Sequence, residues 1–391
     1  MTEPQPIRLM HIIARLNIGG TVTHVVLLME HFGAPHYQSQ LVTGHVGTDE
    51  GDMAYYAMSH GIEPLYMPEL GRSLNPIKDV LTIIKVYRQI RAFKPDIVHT
   101  HTAKAGFVGR VAAWFARVPV IIHTFHGHVF HGYFSPWVTQ VFLNLERLTA
   151  HMSDTVITLS ENLRRELAED YRVTRKSRIT VLPLGLDLDV FLNQARHTGA
   201  FRAQFNIPLD APLIGVVGRL VPVKNHALFL KAALQVRLQI PNVHFVIVGD
   251  GELREELETQ VRAFGLQDAV TFTGWVQDTP PLYGDLDLVV ISSLNEGTPV
   301  SLIEALAGRC PLVSTDVGGA ADLLEGGRLG DLVPSEDVVA LSTAMIQNIQ
   351  SPPDDAVLQE RAHLMRDRYG IDRLVSDLDA LYRGLLARKR K

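Results

Sequence analysis

Short apolar runs alternate with amphipathic segments of helical period along almost the whole chain. In the first half the runs fall at residues 7–13, 40–43, 64–67, 97–100, 120–124, 155–159 and 179–182. Helical periodicity fills the spaces between them, at 21–32, 76–93, 103–115, 136–151 and 161–169. In the second half strands are expected at 213–217, 244–248, 270–272, 288–292 and 311–314, and helices at 226–239, 252–264, 300–307 and 338–349. This alternation is the signature of a parallel α/β architecture rather than of a sandwich or a bundle. It breaks between Pro183 and Pro212, which places a domain boundary near residues 183–193. The expected organisation is a first Rossmann-like domain over 1–188, a second over 189–370, and a terminal helix over 371–391. Leu374, Leu378, Leu381 and Leu385 recur at helical spacing in that last segment, so it should return to pack on the first domain. Two doubly wound halves would bind ligands outside the carboxyl ends of their strands.

A length of 391 residues exceeds the usual limit of one core and agrees with two domains. Hydrophobic residues at 46% and charged ones at 20% describe an ordinary globular protein. The one cysteine, Cys310, lies in an apolar run and reads as a buried thiol; one cysteine excludes a disulfide framework. The net charge of −5 argues against a nucleic-acid partner. A start without a charged-then-apolar leader, and the lack of an apolar run of spanning length, point to a cytoplasmic protein. The basic tail beginning at Arg388 and the aromatics Phe130, Tyr133, Phe134, Trp137 and Phe142 leave room for weak peripheral contact with the inner membrane face. Those aromatics could equally be core or line an acceptor groove.

Three stretches carry candidate chemistry. Glu296 and Glu304 bracket a strand-to-helix transition in which Pro299 is expected as the first helical residue. Free N–H groups at that helix start favour an anion, and the two carboxylates can accept from hydroxyls. Pyrophosphate, ribose and hexose together call for that combination. The second stretch runs from Gly215 to Asn225, where Gly218 permits close backbone approach and Arg219 and Lys224 place two cations after a strand. Asn225 is expected to cap the following helix. The third is the Gly19-Gly20 turn between the first strand and first helix, able to cradle phosphate. Neither it nor Gly249-Asp250-Gly251 has the three-glycine dinucleotide fingerprint. Thirteen of seventeen histidines lie at or before His151, with His123, His126, His128 and His131 in one loop. His126, beside Gly127, is the candidate for the ligand site; zinc is the competing reading, weakened by the absence of a nearby cysteine or a helical His-Glu-x-x-His. His99 and His101 read as packing or hydrogen-bonding residues.

Taken in order, Gly19-Gly20, His126-Gly127, Gly218-Arg219 with Lys224, Gly249-Asp250-Gly251 and the glutamate pair resemble the family 4 retaining glycosyltransferases of the GT-B fold, along nearly the whole chain. The resemblance implies two Rossmann-like domains facing across a cleft. It implies that Arg219 and Lys224 hold the donor diphosphate and Glu304 the ribose hydroxyls. Glu296, with backbone N–H groups of Gly297, Thr298, Val300 and Ser301, would bind the hexose and the nearer phosphate. Gly19 and Gly20 would add a phosphate contact, Gly218 the close approach, Trp275 and Val276 the wall near the base, and His126 a group beside the anomeric carbon. The resemblance further implies front-face transfer with retention, no metal and no cofactor, the nucleotide-sugar being a substrate and most often UDP-linked. The acceptor, a sugar, a lipid-linked sugar or a small molecule, would be chosen by loops such as 44–61 and 128–137. A non-hydrolysing nucleotide-sugar epimerase and a noncatalytic nucleotide-sugar binder are the competing readings.

Overall fold

The computed structural model describes residues 5–47, 51–71, 76–127 and 136–389. Two compact units emerge, one of residues 1–187 with 371–391, the other of residues 188–370. The histidines and aromatics of the 128–135 loop, His128, Phe130, His131, Tyr133 and Phe134, lie outside the described residues, as does part of the 44–61 loop.

The first unit is built on strands β1 (Ile7–Arg15), β2 (Tyr37–Gly44), β3 (Leu65–Tyr66), β4 (Ile97–His101), β5 (Val120–Phe125), β6 (Thr155–Thr158) and β7 (Ile179–Val181). Its helices are α1 (Gly20–His31), α2 (Ala54–Ser59), α3 (Pro76–Phe93), α4 (Ala103–Phe115), α5 (Pro136–His151) and α6 (Glu161–Arg165). All strand pairs are parallel, in the order β3-β2-β1-β4-β5-β6-β7. Helices cover both faces of such a sheet, so its central strands are apolar on both sides. Alternate residues divide between the faces: Leu9, Ile97 and Ile122 join α1 and the C-terminal helix, whereas Met10, Val98 and Ile121 join α3 and α4.

The second unit contains α7 (Asp189–Leu192), α8 (Ala200–Gln204), β8 (Leu213–Val217), α9 (His226–Gln239), β9 (His244–Val248), α10 (Arg254–Ala263), β10 (Val270–Gly274), α11 (Pro280–Asp285) and β11 (Leu288–Ile291). It continues through α12 (Val300–Ala307), β12 (Leu312–Thr315), α13 (Gly319–Leu323), β13 (Asp331–Val333), α14 (Val338–Gln350) and α15 (Asp355–Tyr369). Its six parallel strands are ordered β10-β9-β8-β11-β12-β13. The short strand β13 and the fifteen-residue helix α15 are absent from the sequence reading. Strand β13 buries only Val333 fully, and α15 buries only Leu358, Ala362 and Met365, so neither prints a strong apolar period.

The chain then enters α16 (Ile371–Lys389), which belongs to the first unit. Leu374, Leu378, Tyr382, Leu385 and Leu386 are buried against Leu9, Leu27, Leu28 and Ile97. Five such side chains contribute roughly 1.5–3 kcal/mol each. The Ile371 N–H donates to Leu186 O at 2.9 Å, and Arg373 donates to Pro183 O and Leu184 O.

Candidate functional site

Strand order puts the chemistry where it is. In the second unit, β8 leads to β9 on one side while β11 lies on its other side, so the loops leaving the carboxyl ends of β8 and β11 diverge from neighbouring strands. Such a switch point leaves a crevice for ligand. The β8 loop carries Gly218, Arg219 and Lys224; the β11 loop carries Glu296, Gly297 and Thr298 and opens α12. Residues separated by about seventy positions are thereby joined: Lys224 Nζ donates to Glu296 Oε1 at 2.6 Å, and Ser293 Oγ donates to the same oxygen at 2.5 Å. Ser292 Oγ donates to Lys224 O at 3.0 Å and Leu294 N to Val223 O at 2.8 Å, stitching the loops together. The Glu296 side chain is only 8% exposed. With Oε1 engaged twice, Oε2 is the oxygen left to receive a hydroxyl. Arg219 is exposed and forms no ion pair among the described residues, so its five donors are available to an anion.

Two sequence expectations about helix starts are corrected. Pro299 is the N-cap of α12, with φ −72° and ψ 105°, and not its first helical residue. Its carbonyl accepts from Leu302 N at 3.1 Å and no side chain caps the helix, leaving the first-turn N–H groups of Val300 and Ser301 for an anion. Asn225 occupies the N-cap position of α9 but its side chain caps nothing; it adopts φ 48° and ψ 47°. Asparagine is the non-glycine residue best suited to that left-handed conformation, which explains it after Lys224.

Glu304, one helical turn into α12, accepts from Tyr283 Oη at 2.9 Å. Burial raises its pKa from 4.5 to about 7, against the opposing effect of that hydrogen bond. Trp275, 44% exposed, and Val276 follow β10 two strands away from β8. The structure draws neither of them into the Lys224–Glu296 cluster.

Glycines supply support that the sequence reading missed or left unassigned. A Cβ on Gly249 would lie 2.0 Å from Gly218 O, and one on Gly251 2.5 Å from Leu220 O. Gly249-Asp250-Gly251 is therefore the floor under the Arg219 loop, with Leu220 N donating to Asp250 O. Gly318 and Gly319 play the same part beneath the other loop: Cβ atoms there would fall 2.0 Å from Glu296 O and 1.8 Å from Gly297 O. A glycine pair in the short loop between a predicted strand and the next helix was the signal that could have found Gly318 and Gly319.

The first unit has its own switch point, between β1 and β4. Gly19, the N-cap of α1, and Gly20 follow β1 there. His11 on β1, His99 and His101 on β4, His24 on α1 and His126 after β5 converge beneath that point. His11 Nδ1 bonds His101 Nε2 at 3.0 Å, and His101 Nδ1 bonds His126 Nε2 at 3.0 Å. His99 is held apart by Tyr382 Oη at 2.6 Å and Thr124 Oγ1 at 2.7 Å. Burial is the main cause lowering every one of these pKa values, His11 to about 3 and His24 to about 4, so the rings are neutral. Each imidazole bond then needs one N–H, and the wire can point either way. Pointing away from His126 would leave His11 Nε2–H, which has no partner, as a buried orphan donor. Orphaned donors are rarer than orphaned acceptors, so the N–H groups point toward His126. In that orientation His126 Nε2 accepts and its Nδ1 carries the proton, so the ring offers a hydrogen-bond donor.

Ring nitrogens of His24, His101 and His126, and those of His11, His99 and His101, each fall within 4.8 Å of one another and could hold a metal ion. Neither triad includes a carboxylate, and the charge of Arg373 already bears on His24. A separate depression of about 820 Å³ in the second unit lies at the amino ends of the strands, around Arg196, Arg202 and Asp287, away from the β8/β11 switch point.

Three comparisons with known proteins bear on the family. Residues 18–190 match the model described as Glycosyltransferase Family 4, and residues 211–351 that described as Glycosyl transferases group 1. The chain belongs to the family 4 glycosyltransferases of the GT-B fold. It is 30% identical over 311 residues to the "Putative glycosyltransferase EpsF" of Bacillus subtilis, covering 79% of each chain. It is 29% identical over 348 residues to the UDP-Gal:alpha-D-GlcNAc-diphosphoundecaprenol alpha-1,3-galactosyltransferase of Escherichia coli, covering 87% of this chain and 88% of that one. Among solved structures, Alr3699/HepE of Anabaena in complex with UDP superposes with a TM-score of 0.81 at 21% identity, over 97% of this chain and all of the other.

Proposed function

We propose that the protein transfers a hexosyl unit from a UDP-sugar to a sugar or lipid-linked sugar acceptor, with retention at the anomeric carbon and without a metal or cofactor. The observation that carries the reading is the joined pair of loops after β8 and β11, with an exposed Arg219, a Lys224–Glu296 pair and the open N-terminus of α12. A nucleoside diphosphate has the charge for Arg219, Lys224 and the first-turn N–H groups of α12. Its entry draws Lys224 toward phosphate and frees Glu296 for hexose hydroxyls. Glu304 takes the ribose, Trp275 and Val276 border the base, and Gly218 and Gly297 allow close approach. Gly19, Gly20 and His126 of the first unit take the roles that the family resemblance implies.

The chemistry asked of these residues is leaving-group stabilisation. As the bond to the anomeric carbon breaks, negative charge grows on the β-phosphate, and fixed donors aimed at growing charge are often the largest single contribution to catalysis. His126, offering a donor, steadies a sugar hydroxyl while the departing phosphate takes the acceptor proton. A panel of nucleotide-sugars in a thermal-shift assay tests the reading: a UDP-hexose at a hundred times its Kd should add about 2.7 kcal/mol of stability. Turnover should survive EDTA, and NMR of the product should show the donor's anomeric configuration. If no nucleotide-sugar stabilises the protein, or if a UDP-sugar alone is converted to its epimer, the proposal fails.

A further inference from the structure

The first unit holds more buried histidines at its switch point than the transfer reaction uses. His24 on α1, His101 at the end of β4 and His126 just after β5 reach that point from three different elements. Their rings meet in pairs, with centroids 6.1 Å apart for His24 and His101, 5.0 Å for His24 and His126, and 5.3 Å for His101 and His126. One ring nitrogen from each lies within 4.8 Å of the other two. His24 and His101 are buried, and solvent reaches the cluster only at the half-buried His126. His24 Nδ1 is buried without a hydrogen-bond partner among the described residues. Such an orphaned polar atom calls for a reason beyond packing.

Three imidazoles are a complete protein donor set for a tetrahedral transition ion whose fourth position is left to water. Zinc–nitrogen bonds of about 2.0–2.1 Å at tetrahedral angles put neighbouring nitrogens about 3.3 Å apart. His101 Nδ1 and His126 Nε2 already face each other at 3.0 Å, so that edge of the triangle opens only slightly. No edge exceeds 4.8 Å, so the widest closes by at most about 1.5 Å. An outer support is in place as well: the other nitrogen of His101, Nε2, meets His11 Nδ1 at 3.0 Å, the kind of contact that fixes a ligating ring and its tautomer. The alternative triad of His11, His99 and His101 is less free, because His99 engages Tyr382 Oη with one nitrogen and Thr124 Oγ1 with the other. Nitrogen donors without an oxygen ligand select zinc-like ions over magnesium or calcium. The positive end of α1 and the charge of Arg373 sharpen that choice, since a hard cation gains nothing from imidazole to offset them.

We propose that His24, His101 and His126 form an inhibitory site for a divalent transition ion of the zinc class. The metal-free protein is the active form. When the ion enters, the hydrogen bond between His101 and His126 is replaced by two metal–nitrogen bonds, and His101 carries its proton on Nε2, facing His11. As the donor's anomeric bond breaks, positive charge grows on the anomeric carbon, and a dication held by His126 opposes it. The displaced His126 ring also loses its position against the sugar. Metal capture stands on the geometry of the first unit alone; only the inhibition rests on the transfer reaction.

Full-length protein stripped with EDTA and dialysed is titrated with Co²⁺ by visible absorption and with Zn²⁺ by calorimetry, beside His24→Leu and His24→Gln. Leucine suits the buried surroundings and glutamine keeps a polar group, and circular dichroism checks the fold of both. Wild type should bind one ion tightly, with the intense visible bands of tetrahedral cobalt, and the variants should lose affinity roughly tenfold or more. Excess Mg²⁺ should not compete. Zn²⁺ at concentrations that fill the site should lower wild-type turnover roughly tenfold or more, reversed by EDTA. Absence of binding, a weak octahedral cobalt spectrum, or equal binding by wild type and the folded variants overturns the site. Tight binding that His24→Leu or His24→Gln abolishes, with wild-type turnover unchanged by Zn²⁺, overturns the inhibition. Cobalt binding without any stabilisation by UDP-sugars would support the metal site and sink the donor reading alone.

Discussion

Lowering the pH from 7.5 to 5.5 should unfold the first unit and leave the second folded. Six histidines of the first unit, His11, His24, His99, His101, His123 and His126, have pKa values below the usual 6.5, chiefly through burial. A group of this kind binds its proton only after unfolding, so its contribution is complete above pH 6.5 and drains away as pH falls toward the folded value. With His11 at about 3, His24 at about 4 and the other four well below the ordinary value, the folded rings stay neutral at pH 5.5. Each then costs on the order of 1 kcal/mol, and the six together an amount comparable with the ~5–15 kcal/mol of a typical domain.

The second unit behaves differently. His226, lowered to about 4 mainly by burial, loses on the order of 1 kcal/mol over the same range, and the partly buried His244 adds to that loss. Glu304 works in the other direction. Its folded pKa of about 7 lies above 4.5, so ionisation destabilises the fold as pH rises through that window, and acidification to 5.5 returns about 2 kcal/mol. Hydrogen–deuterium exchange in mild urea reads both units at once. Peptides covering β1, β4 and β5 should lose protection at pH 5.5 while those covering β8 and β11 keep it. Equal protection of the first unit at both pH values, or earlier opening of the second, would refute the buried-neutral description of the histidine cluster.

Arg219→Ala should lower turnover roughly 10²-fold or more with little change in melting temperature, since the side chain is exposed and unpaired among described residues; an unchanged kcat removes it from the mechanism. Glu304→Gln keeps an acceptor for Tyr283 and discards the buried charge, so at pH 8 urea unfolding should show a gain of roughly 2 kcal/mol that vanishes by pH 5, the full shift being trimmed by residual solvent contact. The same variant should bind free UDP more weakly, whereas Glu296→Gln should chiefly hurt binding of the intact donor and turnover; equal loss of UDP binding in both would contradict the division between ribose and hexose. Gly318→Ala forces a Cβ onto Glu296 O from a backbone at φ 51° and ψ −131°, and should cost roughly 2–3 kcal/mol and displace the Glu296 loop, read by calorimetry and donor affinity.

Much of the molecule is written in local signals. Period-two and period-3.6 patterns are properties of neighbouring residues, and they locate most strands, the longer helices of both sheets, and the return of α16 through its leucines. The strand-to-loop positions of Arg219, Lys224 and Glu296 are equally local, because glycine and proline punctuate the ends of buried strands. Where the signal is faint the reading fails: three residues of β13, and a helix α15 with a thin buried stripe.

What the tertiary structure alone decided is adjacency. Strand order places β8 beside β11 and β1 beside β4, and no feature of either segment specifies its neighbour. Only that order brings Lys224 to Glu296, His101 to His126 and, across 283 positions, His99 to Tyr382. It also joined His11, His101 and His126 into a hydrogen-bonded wire, and made a glycine pair the floor beneath Glu296. Hydrophobic period records which face of an element is buried; hydrogen bonds and close approaches depend on which elements meet, and that is settled by burying all the faces at once.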